Sequence, residues 1–360
     1  MTSPLLNKSI KVFLLIFLLF TVLFYGKPFL VPVLIAVFLS MLLLPLCRKL
    51  EQKMPRGLAV ALSLLVFLVV VALVGYIVST QVASIASNSG KIQANIQAKL
   101  QQVQDFISQK IGIPRQKQQE MIKEQEGSVG NLSSLLSGLF ASLGSLLTKF
   151  VILVVYMFLF LFYREHFSEF ILRVVSAKDK TNARTIIHDV QKVAQNYLTG
   201  LAMMIGCLWV MYGIGFSIIG VKSALFYAML CGLLEIVPFV GNLTGVSITV
   251  VMTMAQGGDL KLVIAVIITY AIVQLLQSYI LEPLVVGKSI SIHPVFTIVG
   301  LVGAEILWGI PGMALALPLL GVTKIICDKI EPLKPYGFLI GEERSGKPGV
   351  LEKLKKKITG

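Results

Sequence analysis

Glu235 and Glu305 each stand within a long apolar stretch and close to Pro and Gly. The first reads Leu234-Glu235-Ile236-Val237-Pro238-Phe239-Val240-Gly241-Asn242, the second Glu305-Ile306-Leu307-Trp308-Gly309-Ile310-Pro311-Gly312. A carboxylate at the centre of a bilayer costs ~2.5–3.5 kcal/mol on insertion scales, so each acid is expected to face a cavity, a partner or another subunit. Desolvation disfavours the ionised form of a carboxylate, a property that suits a proton or cation relay. The adjacent Pro and Gly break the helix, and the half-helices then aim N-terminal amides at anions and C-terminal carbonyls at cations. Asn242 and Thr244 offer neutral oxygens beside the first break. Broken backbone at membrane depth is tolerated only where protein buries it or where it lines a wet cavity. A binding site is therefore expected at the two breaks, with Glu235 foremost. The structural alternative is that Glu235 or Glu305 caps a broken helix or pairs with Lys222, Lys261 or Lys288 near an interface. Glu282, next to Pro283 at the end of a span, and His293, before Pro294, carry the same ambiguity between a functional role and an interfacial or helix-start role.

The elements that must hold these residues are helices in a membrane. Hydrophobic residues make up 56% of the 360-residue chain and charged residues only 14%, against about a quarter in ordinary soluble domains; the mean hydropathy is +0.85. A bilayer core of ~30 Å needs about 20 apolar residues in a helix. Apolar units at 10–26, 28–46, 58–80, 146–163, 197–220, 224–255, 261–281 and 294–326 predict an all-α, polytopic membrane protein of about eight hydrophobic segments, two of them broken or re-entrant. The first unit lacks a following small-residue cleavage site and is read as a span. The net charge of +14 is concentrated in few places: Lys8 and Lys11 precede the first span, Arg48, Lys49, Lys53 and Arg56 accompany the single acid Glu51, and Lys353, Lys355, Lys356 and Lys357 lie near the end. The positive-inside rule puts both termini and that loop in the cytoplasm. Anionic headgroups are the expected partner of this charge. Nucleic acid is not, since no aromatic residues interleave with the basic ones.

The layout is thus a three-span region at 1–80, a polar insert at 81–145, a membrane region at 146–327 with a connector at 164–196, and a basic cytoplasmic tail at 328–360. Within the insert, Ile92, Ile96, Leu100, Val103, Ile107 and Ile111 recur at helical spacing. Gly112-Ile113-Pro114 should end that helix, and a Leu-rich stripe from Leu132 to Leu147 forms a second one. Parity places the insert outside the cytoplasm, as helices packed together or on the bilayer, or as a lid or subunit contact. Cys47, Cys207, Cys231 and Cys327 are far apart and form no C-x-x-C pair, so neither disulfide nor metal site is expected. Hydrolase and metalloprotease signatures are absent. The run Gly341-Glu342-Glu343-Arg344-Ser345-Gly346-Lys347-Pro348 has phosphate-loop spacing, but Pro348 stands where a magnesium-binding Ser or Thr is needed. No cofactor and no enzymatic activity are expected.

From Leu234 to Thr244, Gln274 to His293 and Pro294 to Lys324 the chain resembles the autoinducer-2 exporter (AI-2E) family of permeases. The shared features are Val237-Pro238-Phe239-Val240-Gly241, Gln274 leading to Glu282-Pro283-Leu284-Val285-Val286-Gly287-Lys288-Ser289, Ile292-His293-Pro294, and Trp308-Gly309-Ile310-Pro311-Gly312 with Pro318. Their order over about ninety residues carries the resemblance, together with the layout and its polar insert. It implies a bacterial inner-membrane permease, a homo-oligomer, and transport of a small signalling molecule or of cations in exchange for protons. Three positions depart from the pattern: Asn242 follows Gly241 where relatives often have Pro, Gln277 stands where they often place an acid, and Tyr279 where they often have Asn. The missing acid weakens a proton-coupling role at 277. A secondary transporter working by alternating access is the leading expectation. A cation/proton antiporter or channel-like facilitator is the alternative, and a non-transporting structural membrane protein a further one.

Overall fold

A computed structural model describes residues 4–87, 90, 94–95, 149–176, 179–286 and 292–342. Most of the 81–145 insert, the basic tail beyond Glu342 and most of the run from Gly341 to Pro348 lie outside the described residues. Among those described, every named element is a helix, as hydrocarbon requires of backbone that must satisfy its own polar groups. Helix α1 spans Pro4–Tyr25, α2 Lys27–Glu51 and α3 Arg56–Ser87. Helix α4, Lys149–Phe162, bends by 65° into α5, Arg164–Val174. Then come α6, Lys180–Ile218, α7, Ala224–Leu234, and α8, Val240–Ala255. Helix α9, Leu260–Leu276, passes into a π-helical stretch, Gln277–Val286. Helices α10, Pro294–Trp308, α11, Ile310–Lys329, and α12, Lys334–Ile340, complete the described chain. Five helices are long and apolar enough to cross a membrane, or six if the bent α4–α5 pair is one span. The protein is an all-α, multi-pass membrane protein.

One end of the bundle is held by charge. Glu51, at the end of α2, accepts a forked hydrogen bond from Arg164, with Nη1 at 2.8 Å. Arg56 approaches the same carboxylate at 3.9 Å and Glu165 at 3.1 Å. Arg164 and Glu51 are each 18% exposed, so the pair is shielded far more than an ordinary surface ion pair and loses correspondingly less to solvent screening. Above it, Ala36 and Leu44 of α2, Ala59 and Leu64 of α3, and Met157 and Leu161 of α4 form one apolar core. A second core joins Leu208, Tyr212 and Phe216 of α6 to Tyr227 of α7 and Val266 of α9. A third links Val31 and Phe38 of α2 with Ala194 of α6 and with Trp308 and Leu315 of the last hairpin.

The expected connector at 164–196 divides in two. Residues 164–174 form α5, whose Phe167, Phe170, Ile171 and Val174 are exposed on one side while Glu165, His166, Glu169 and Arg173 occupy the other. That pattern fits a helix lying at a membrane interface. Residues 180–196 instead continue without a break into the membrane as the first half of α6. With 39 residues, α6 measures roughly 58 Å at 1.5 Å per residue, about twice a bilayer core.

Both broken segments fold back on themselves. In the first, Tyr227 near the start of α7 accepts a hydrogen bond from Gln256, just past α8, at 2.8 Å, and Lys222 donates to the Gln256 carbonyl at 3.0 Å. Helix α7 runs antiparallel to α6, since Trp209 donates to the Met229 carbonyl at 3.1 Å and Gly213 faces Leu225 and Ala228. The base of this hairpin therefore lies at the end of the bundle opposite Glu51, and its tip points inward. The second hairpin has its base at the Glu51 end: Lys329 bonds Asp189 of α6 at 3.0 Å, and His293 N–H donates to the Ile340 carbonyl at 2.9 Å. Its tip reaches the turn between α1 and α2, where Trp308 Nε1 donates to the Leu23 carbonyl at 2.9 Å.

This geometry makes a direct prediction. In a variant without the native cysteines, Lys222→Cys and Gln256→Cys are expected to react with a membrane-impermeant thiol reagent from the same side, and Lys53→Cys from the other. Labelling of positions 222 and 256 from opposite sides would show that 224–255 crosses the membrane instead of returning.

Candidate functional site

The first tip is built from local backbone constraints. Ile236 and Val237 extend the end of α7 by donating to the Leu233 and Leu234 carbonyls at 3.2 and 2.9 Å. Pro238 has no N–H to continue the ladder. Phe239 then takes φ 62°, ψ −56°, and Val240 N–H donates to the Pro238 carbonyl at 2.7 Å. This is a γ-turn, rare and strained for a non-glycine residue by about 1–3 kcal/mol. Phe239 is 73% exposed, so its own burial does not offset that strain. The return helix must pass close to α7, and Gly241 permits it: a Cβ there would overlap the Leu234 carbonyl oxygen.

At the second tip, Gly309 supplies φ 67°, ψ −148°, a conformation open to glycine and costly for other residues. Pro311 occupies the first turn of α11, where its missing N–H is harmless. Gly312 is buried, and a Cβ on it would overlap the Ala304 carbonyl oxygen. Lys27 Nζ lies beside Gly309, 3.7 Å from where a Cβ would stand, at the negative end of α10.

Glu235 caps the C-terminal end of α7 and is half-buried. Its Oε1 accepts a hydrogen bond from Gln277 Nε2 at 2.7 Å, and Gln277 is only 5% exposed. Tyr270, Gln274 and Gln277 follow one another at spacings of four and three, so they share one face of α9. The Tyr270 hydroxyl donates to Asn242 Oδ1, and its ring stacks on Tyr212 at 6.2 Å between centroids. The amide oxygens of Gln274 and Gln277 are buried and meet no donor among the described residues. A carboxylate at the end of α7, bonded by a buried amide whose own oxygen meets no donor among the described residues, is an oxygen-bearing polar site of the kind that suits a proton or a hard cation.

Glu305 is exposed and lies apart from that patch. Together with Pro238, Phe239, Leu301 and Met313 it lines a cavity of about 200 Å³, so the inward tip of the first hairpin and the flank of the second share one space. The remaining candidates fall elsewhere. The exposed Thr244 hydroxyl donates to the Val240 carbonyl of its own helix at 2.7 Å. Glu282 is exposed in the π-helical stretch. His293 starts α10, its Nδ1 accepting from Val295 N–H at 3.3 Å. Tyr270, Phe239 and Lys27 are the neighbours that sequence reasoning did not single out. The Tyr270-Gln274-Gln277 stripe on an otherwise apolar helix was the available signal for the first, whereas the other two are visible only once the tips are folded.

The AI-2E family transporter profile matches residues 12–331. The chain is similar to "Putative transport protein YrrI" of Bacillus subtilis, 31% identical over 142 residues, which is 39% of this chain and 39% of that protein. It is 30% identical over 197 residues to "Putative transport protein YueF" of the same bacterium, covering 54% of this chain and 52% of the relative. A "Putative transport protein" of Borreliella burgdorferi is 28% identical over 144 residues, 39% of this chain and 40% of that one. These matches span from about two fifths to about half of the relatives' own length.

Gly241→Ala is expected to destabilise the protein by about 3 kcal/mol or more, because backbone, not a flexible side chain, occupies the space. Gly206→Ala on α6, where a Cβ would meet nothing within 4 Å, should be neutral or stabilising by up to ~1 kcal/mol. Thermal unfolding in detergent separates the two, and equal melting temperatures would refute the close approach at Gly241.

Proposed function

The chain belongs to the AI-2E family of transporters, and we propose that within it the protein is a secondary permease that exports a small solute, with coupling to protons or to sodium. A role in membrane transport follows from the family. The observation that supports the finer reading is the meeting of two oppositely directed hairpins: one enters from the far end, one from the Glu51 end, and the Pro238 tip of the first lies against the Glu305 flank of the second. Broken helices converging in this way are the construction used for alternating access. The solute occupies the space between the tips, and the coupling ion exchanges at the Glu235-Gln277-Gln274 patch. Cation/proton antiport without an organic solute is the second reading, favoured by Glu235 together with the donor-free amide oxygen of the Gln277 that bonds it.

Orientation is part of the proposal. The Glu51 end, with Arg48, Lys49, Lys53 and Arg56, faces the cytoplasm of a bacterial inner membrane, among anionic headgroups. Both termini lie on that side, the first hairpin enters from outside, and copies of the chain assemble into a homo-oligomer.

The test is flux in proteoliposomes holding the purified chain, an internal pH dye and a sodium or potassium gradient. Wild type is expected to move protons against the cation gradient, and Glu235→Gln to lower that rate about tenfold or more, as for removal of a group that carries the relayed proton. Proton movement that Glu235→Gln leaves intact would remove the patch from the mechanism. No proton movement by wild type would rule out cation/proton antiport and leave export of an organic solute as the reading to assay.

A further inference from the structure

A groove of about 420 Å³ lies at the Glu51 end, well apart from the hairpin tips. Its walls come from five elements: Met41 and Leu44 of α2, the end of α4, Phe167 and Ile171 of α5, Ile187 of α6, and Ile326 of α11. Its size falls in the range of pockets that enclose small ligands, ~300–1,000 Å³, but the surface it offers is almost wholly apolar, with Ser40, Ser168, Gln191 and Arg164 the polar members of its lining. Such a lining offers little to fix a polar solute and suits a hydrocarbon chain. Its position agrees: α5, bent 65° away from α4, presents exposed apolar residues along one side and charges along the other, the arrangement of a helix at the boundary of headgroups and acyl chains.

The charge around the groove has one sign to spare. Arg164 lines it but is committed to Glu51. Arg48 continues the Met41-Leu44 stripe of α2 by one turn, and Arg184 precedes Ile187 on α6 by one turn; both are exposed, and neither has a carboxylate within ion-pair distance among the described residues. Lys49 and Lys53 stand near Arg48 under the same condition. An apolar slot with two exposed, unpaired guanidinium groups one helical turn beyond its walls is complementary to an anionic amphiphile. We propose that the groove holds one acyl chain of an anionic phospholipid, its phosphate between Arg48 and Arg184. The bound chain wedges between α2, α4 and α5 on one side and α6 and α11 on the other, so the lipid joins the helices that carry the second hairpin to those that do not.

The experiment is native mass spectrometry of the full chain in detergent with added phosphatidylglycerol or phosphatidylcholine. Wild type should retain the anionic lipid at least tenfold better. Arg48→Gln with Arg184→Gln, both at exposed positions, should abolish that preference, a loss of about twenty-five-fold if each cation contributes about fivefold. Ile187→Trp, which fills the slot, should reduce retention of both lipids, and the melting temperature without lipid checks that it folds. Equal retention of the two lipids by wild type overturns the assignment, as does retention unchanged by Ile187→Trp. So does retention that appears only after residues 343–360 are removed, which would assign the groove to the chain's own basic tail, or a dimer that Ile187→Trp dissolves, which would assign it to a second copy.

Discussion

Everything distinctive in this protein depends on one constraint: a backbone N–H or C=O in hydrocarbon must find its partner within the protein. A helix meets that demand alone, but a broken helix does not. Here each break is folded tightly against the helix it came from, and at each a glycine makes the approach possible, Gly241 against the Leu234 carbonyl and Gly312 against the Ala304 carbonyl. The close contact shields the freed carbonyls that a longer loop would leave to lipid. It also brings a helix end of each polarity to the same place.

Charge is distributed under the same constraint. The strong ion pair of Glu51 and Arg164 lies at a bundle end, where water still reaches its partners, and Arg56 shares the carboxylate from a third segment. Beside Glu235 the partners are neutral: Gln277 bonds its carboxylate, and the Asn242 amide, on the helix that follows the break, accepts from the Tyr270 phenol. Amides solvate a carboxylate without adding a second buried charge, so the departure from the family pattern at Gln277 is compatible with a working polar site. It makes 277 a hydrogen-bond partner of Glu235.

Much of this could be read along the chain, for physical reasons that also set the limits. Apolar length and the Pro/Gly interruptions are local properties, so the eight apolar units, the two breaks and the choice of Glu235 as a residue to watch came from residue types and spacing. The folding back of residues 224–255 did not, because a hairpin and a kinked span have the same hydropathy; contacts such as Tyr227 with Gln256 are what separate them. The connector at 164–196 read as one polar piece because charges on an interfacial helix resemble charges on a helix projecting into water. Thr244 could be placed near the break but not aimed, since its hydroxyl turns to its own helix. The pairing of Gln277 with Glu235 joins residues 42 positions apart, a separation at which spacing says nothing.

The stretch from Gln277 to Val286 winds in a π register, and this has a mechanical consequence. A π turn holds one residue more than an α turn, so the segment stores slack in the winding of the chain. Releasing it by one residue would rotate the helix on one side against the other by about 100° with little change in length. Gln277 is the first residue of the stretch and the partner of Glu235, so the change of winding begins at the contact that holds the acid. The hydrogen bond that holds the Glu235 carboxylate and the change of winding in α9 thus meet at one residue.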